Sequence, residues 1–190
     1  MVKGLKSHNS YFIIHNSGKS FGFTLVELLV VMAIIGVLVT LIGTTFRNAQ
    51  IRGRDVERKS DLNQISKALE LFFSDYGLYP DGDLSGLILG CPYNPTTGIG
   101  AACSWGTSEL TDGTTTYFKQ LPTDPTPTET YFYRVVPNSN RQKFQIFAHL
   151  ENPDDQDCLA GDCANSPVTY SCGNDTCNFA ITSSNTTATE

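Results

Sequence analysis

The sequence predicts an α+β chain: one long N-terminal helix packed on a small antiparallel β-sheet head whose loops are stapled by disulfides. Three observations predict this. Residues 23–46 form an almost unbroken apolar run, and no proline occurs before position 80. Residues 130–136 and 143–149 alternate aromatic or β-branched residues with polar ones on either side of PNSNRQ, the pattern of a hairpin. Six cysteines (Cys91, Cys103, Cys158, Cys163, Cys172 and Cys177) all lie beyond the apolar run.

The helix follows from the longest of these signals. The run FTLVELLVVMAIIGVLVTLIGTTF contains one formal charge, Glu27. At about 1.5 Å per residue it reaches roughly 36 Å, enough to cross a hydrocarbon core of ~30 Å. A carboxylate in such a run costs ~2.5–3.5 kcal/mol near a membrane centre and less at its edge, so Glu27 is either a snorkelling interfacial residue or a functional one. Past residue 46 the pattern becomes one-sided: Leu62, Ile65, Leu69, Phe72 and Tyr76 recur three and four apart, the stripe of a helix packed on one face. Residues 23–76 therefore read as one helix of roughly 54 residues, about 80 Å long. Gly77 is placed to end it and Pro80 to prevent its resumption.

Composition narrows the function. The chain has 190 residues, a formal charge of −6 and a pI near 5.0. That balance gives no footprint for nucleic acid. Only 17% of residues are charged, and the tail is rich in Thr, Ser, Asn and Gly, which suits an extracellular surface. The three histidines, His8, His15 and His149, have no nucleophile or metal-ligand pattern around them. With no phosphate loop or nucleotide fingerprint either, the chain reads as non-enzymatic, with no required cofactor.

In the head, residues 77–115 are turn-rich, and Cys91 and Cys103 are placed to close a local ring. Residues 116–125, TYFKQLPTDP, read as a short helical turn ended by Pro122. One or two short strands are expected after the hairpin, and the closing SSNTTATE reads as a flexible tail. An even number of cysteines on one side of a span points to disulfides in an oxidising compartment. Six cysteines allow 15 pairings, so the connectivity beyond the local Cys91–Cys103 bond stays open. Cys158-x4-Cys163 and Cys172-x4-Cys177 also admit a four-thiolate zinc shell, though without the two-residue spacing of zinc knuckles. Glu151, Asp154, Asp155, Asp157 and Asp162 crowd the loop after the hairpin. They read either as a solvated acidic loop or as oxygen ligands for calcium. Asn174-Asp175-Thr176 and Asn185-Thr186-Thr187 match the glycosylation sequon.

Gly22, Phe23 and Glu27, with Thr24, Leu25, Val26, Leu28 and Leu29 between and after them, resemble the processing signature of type IV pilins and of the pseudopilins of type II secretion. The resemblance implies a lollipop of four parts: residues 1–22 a cytoplasmic leader that is removed, 23–46 a transmembrane and filament-core helix, 47–76 its amphipathic outer half, and 77–190 an extracytoplasmic head. It implies that a prepilin peptidase cuts between Gly22 and Phe23, that Phe23 becomes N-methylated, and that Glu27 pairs with the Phe23 amine of a neighbouring subunit during assembly. The implied partners are copies of the chain itself, the peptidase, and an inner-membrane platform driven by a traffic ATPase. The apolar run follows Gly22 rather than preceding a cleavage site, so this is not a secretory signal peptide. The charges flanking the run, Lys3, Lys6 and Lys19 before it and Arg47, Arg52, Arg54, Arg58 and Lys59 after it, do not decide orientation. The cysteines and the resemblance place the head outside the cytoplasm, in an inner-membrane protein that becomes a surface filament. Family members often carry a proline near the end of the apolar run, where this chain has Gly43 and Thr44, so any bend falls there.

The segment LPTDP, followed by YFYRV, is similar to the major pseudopilins. These carry a calcium site near the acidic loop, but also a tryptophan and glycine that are here replaced by Thr126 and Pro127. The expected function is a pilus subunit, with a secretion pseudopilin as the alternative. From another class, an unprocessed membrane-anchored binding module would need the Gly22–Phe23 bond intact.

Overall fold

A computed structural model describes residues 22–190, except for the side chains of residues 41–45. The leader, with Lys3, Lys6, Lys19, His8 and His15, lies outside the described residues, as do the side chains at 43 and 44 where a bend was expected. The chain divides into two compact units, Met1–Gly43 and Thr44–Glu190.

Helix α1 spans Leu25–Tyr76. In the first unit every described side chain from Phe23 to Val39 faces outward, with Phe23 87% exposed and Leu25 79%. Among the described residues no helix is long and apolar enough to cross a membrane. The helix ends as its sequence dictates. Gly77 takes φ 65° and its N–H donates to the Phe73 carbonyl at 2.7 Å, the left-handed cap that a side chain would strain.

The head, within the second unit, holds three small antiparallel sheets. Strands β1 (Asp81–Gly82), β2 (Ile88–Asn94) and β3 (Ile99–Ala102) form one sheet in that order. Strands β4 (Leu110–Thr111) and β5 (Thr116–Phe118) pair as a second. Strands β6 (Phe132–Val135), β7 (Phe144–Ala148) and β8 (Phe179–Thr182) form the third, β7 central. The expected hairpin is β6–β7, with Phe132 opposite Phe147 and Val135 opposite Phe144.

The α1 stripe makes the core. Leu62, Ile65, Leu69 and Phe72 are fully buried, together with Ile88, Leu110, Leu121, Tyr131, Tyr133, Phe144 and Ile146 from the head. Tyr76, the last of the expected stripe, is only partly buried because its hydroxyl reaches Asp112.

Residues 77–115 are turn-rich as expected, with Cys91–Cys103 closing the local ring, and they also carry the β2–β3 hairpin. Two expectations need correction. Residues 116–118 form β5 rather than a helical turn. There Tyr117 is buried and its hydroxyl donates to Asp75 at 2.8 Å and to Asp112 at 3.1 Å. The tail does not fray. Gln145 donates to the Thr187 carbonyl at 2.5 Å, Lys143 pairs with Glu190, and Asn185 donates to the Gln142 carbonyl at 3.1 Å. This cover explains why all five residues of β7 are buried. Phe144, Ile146 and Ala148 join the core on one face. On the other, Gln145 lies under the tail, and Phe147 lies under Val168, Cys172 and Cys177.

Candidate assembly site

Thr24 and Glu27 open α1 with a capping box, the reciprocal bonding of a Thr-x-x-Glu sequence. The Glu27 N–H donates to Thr24 Oγ1 at 3.2 Å. The Thr24 N–H and its hydroxyl both donate to Glu27 Oε2 at 2.9 Å. One carboxylate oxygen thus satisfies a helix-end donor that would otherwise be bare. Glu27 Oε1 has no partner among the described residues, and the side chain is exposed. Gly22 and Phe23 lie before the helix, exposed and outside any regular element, and nothing stands within 4 Å of a Cβ built at Gly22. The Gly22–Phe23 bond is therefore accessible, and Glu27 sits one helical turn beyond it with a free oxygen.

A second cluster of charge lies in the head. Arg58 is fully buried on α1. Its Nε and Nη2 donate to Asp124 Oδ2 and Oδ1, both at 2.8 Å, Nη1 donates to Asp55 at 2.8 Å, and Nη2 also reaches Thr126 at 2.9 Å and Glu151 at 2.8 Å. Asp55 in turn accepts the backbone N–H of Glu151 at 2.9 Å and of Asn152 at 2.8 Å. Arg54 adds a second guanidinium to Glu151. The bond from Arg54, with those from Arg58 and Thr126, holds the Glu151 carboxyl down at about 2. A turn along, Lys59 Nζ lies 2.7 Å from both Asp155 and Asp157.

These pairs decide how the acidic loop is arranged. Glu151 faces arginines, and Asp155 and Asp157 share a lysine. Asp162 accepts from the Ala164 N–H and the Asn165 amide, both at 2.8 Å, and Asp154 points to solvent. Among the described residues no group of three His, Cys, Asp or Glu side chains is placed to hold a metal ion. The five carboxylates expected as calcium ligands are thus not brought together, because cations of α1 already occupy three of them.

The cysteines pair locally as Cys91–Cys103, Cys158–Cys163 and Cys172–Cys177. The last two bonds use the four thiols that a zinc shell would need. His149 Nδ1 is bonded to the Thr176 carbonyl at 2.8 Å.

Sequence reasoning missed two things here. The capping box was signalled by Thr24-x-x-Glu27 itself. The Arg58–Asp124 pair had no local signal, since 66 residues separate the partners.

Comparison with known proteins bears on the first cluster. Residues 18–43 match the family described as the prokaryotic N-terminal methylation motif. The type IV major pilin protein PilA of Myxococcus xanthus (strain DK1622) is 40% identical over 60 residues, covering 32% of this chain and 27% of that protein. The chain thus matches about a quarter of the length of that relative. No solved structure matches the chain significantly. The N-terminal segment of the chain thus carries the prokaryotic N-terminal methylation motif and is similar to the corresponding part of a type IV major pilin.

Proposed function

We propose that this chain is the structural subunit of a type IV pilus-like filament, cut between Gly22 and Phe23 by a prepilin peptidase, methylated at Phe23 and polymerised through α1. One observation carries the reading: an accessible Gly22–Phe23 bond is followed by a capping-box glutamate with an unused oxygen, at the head of α1, whose apolar side chains from Leu25 to Val39 are exposed all round. An isolated soluble protein gains nothing from such a surface, whereas lipid or neighbouring copies would cover it. In this reading, cleavage creates an amine at Phe23. A neighbour's Glu27 pairs with it in the low-dielectric filament core, where either charge alone is costly. The apolar run anchors the subunit in the inner membrane before assembly, with the head outside the cytoplasm. A platform and traffic ATPase would drive its extraction.

The mass of the mature N-terminus tests the proposal. A chain beginning at Phe23 with one added methyl group supports it. An intact Gly22–Phe23 bond in cells that assemble filaments overturns it and favours an anchored binding module.

A short secretion pseudopilus is the second reading, favoured by one detail: the aspartate of the pseudopilin-like segment LPTDP, Asp124, is a buried anchor of α1. Long fibres on the cell surface would exclude it.

A further inference from the structure

The head has one cleft whose chemistry the filament role does not use. It measures about 790 Å³ and is lined by Asp81, Asp83, Leu84, Phe132, Arg134 and Tyr170, among others. One wall is the turn between β1 and β2, which closes against the edge of β6 because Gly82 and Gly86 have no side chains. A Cβ at Gly82 would lie 3.1 Å from the Tyr133 carbonyl, and one at Gly86, at φ +80°, 2.4 Å from the Phe132 ring. The turn is held rigid by Asp83, whose Oδ1 accepts the N–H of Ser85 at 2.9 Å and of Leu87 at 2.7 Å. Leu84 stands at its tip, fully exposed.

The floor is aromatic: Phe132 and Tyr170 stack with centroids 4.9 Å apart. Arg134, two residues along the same face of β6, lays its guanidinium 5.1 Å from the Tyr170 ring centre. Arg54, Arg58 and Arg141, the other guanidiniums packed into the head, all have carboxylate or carbonyl acceptors. Arg134 pairs with no carboxylate and donates to no acceptor among the described residues, although Asp81 and Asp83 line the same cleft. It is half-buried, and burial pulls its pKa down, so its charge is partly desolvated with no hydrogen-bond acceptor among the described residues. A planar donor fork beside an apolar shelf matches a carboxylate carried on an apolar body. The two aspartates disfavour phosphate and other multiply charged anions.

We infer that this cleft is a binding site for a monocarboxylate with an aromatic or aliphatic body, its carboxylate held by Arg134 and its body laid between Leu84 and the Phe132–Tyr170 stack. Such a group comes from a free small acid or from the C-terminus of a peptide.

Titration calorimetry on the full chain in lipid nanodiscs tests this with N-acetylphenylalanine, its carboxamide, and N-acetyl-Ala-Ala-Phe, using empty nanodiscs to subtract partitioning into lipid. The acid should bind at least tenfold more tightly than the carboxamide. Arg134→Gln should erase that difference, and Arg134→Lys should restore part of it. Thermal melting should be unchanged in both variants. Tighter binding of the tripeptide supports the site with a peptide terminus as its ligand; binding no tighter than that of the amino acid supports it with a small acid. Equal binding of acid and carboxamide overturns the inference. So does undiminished binding of the acid by Arg134→Gln, or no saturable binding at all.

Discussion

Arg58 on α1 grips Asp124 through two parallel hydrogen bonds of 2.8 Å, and both side chains are wholly out of solvent. The fork ties the helix to the segment that leads into β6, and Asp55 and Glu151 close around the same guanidinium. Removing the cation would strand Asp124 and Asp55 in the interior. Arg58→Leu should therefore destabilise the head by roughly 3–5 kcal/mol, the range for breaking a buried pair from one side. Arg58→Lys should recover only part, because an ammonium cannot reproduce the fork. Denaturant unfolding of the full chain in detergent checks both.

The acidic loop should make stability depend on pH. Glu151 has its carboxyl lowered from an ordinary 4.5 to about 2, mainly by the bond from Arg54. A carboxylate depressed in the folded state contributes stability that is fully present above the unfolded value and is lost as pH falls through the folded one. The melting temperature should therefore drop as pH falls from about 4.5 to about 2. Glu151→Gln should flatten this part of the profile. An unchanged slope in that variant would assign the effect elsewhere; Asp112, also lowered to about 2 by the Thr115 N–H and the Tyr76 hydroxyl, is the next group to test.

The disulfides should differ in worth according to the loops they close. Cys91–Cys103 spans 12 residues and each of the other two spans 5. By loop entropy the first should contribute about 3 kcal/mol and each of the others about 2 kcal/mol. Paired Cys→Ser variants compared in denaturant would show this order. Peptide mapping of the unreduced protein should recover the three local pairings.

The proposed assembly role separates two duties of one side chain. Glu27→Leu should insert and be processed yet yield no filaments, because it removes both the cap and the intersubunit charge. Thr24→Val keeps the carboxylate and loses only part of the cap, about 1 kcal/mol. It should still assemble. Electron microscopy of sheared fibres, with the N-terminal mass as the processing control, distinguishes the two. Wild-type filament yield from Glu27→Leu would remove the pairing from the proposal.

Much of the architecture was legible in the sequence because its signals are local. The Leu62–Ile65–Leu69–Phe72 stripe is a periodicity, Gly77 is a cap, and the residues flanking PNSNRQ alternate as hairpin strands do. Short strands were harder to read. Residues 88–94, ILGCPYN, contain a glycine, a proline and a cysteine, so the pattern that should announce a strand is broken, and β2 forms because Ile88 and Tyr93 find the core. The tail looked frayed because its own residues are polar, and what orders it is β7, some forty residues away. The charges misled for the same reason. Arg54, Arg58 and Lys59 read as flanking charges of a span, and residues 151–157 as a free acidic loop. Neither group shows in sequence that it is the other's partner across more than ninety residues.

All three disulfides close loops within the head, and none joins it to α1. Beyond the backbone link at Gly77, the head is held against the helix by non-covalent contacts alone, the apolar stripe and Arg58 among them. Docking and oxidation become separable steps of maturation: a newly made chain can seat its head on the helix while its thiols are still reduced. Later exposure to a reductant would loosen the individual loops without cutting the head from its stem.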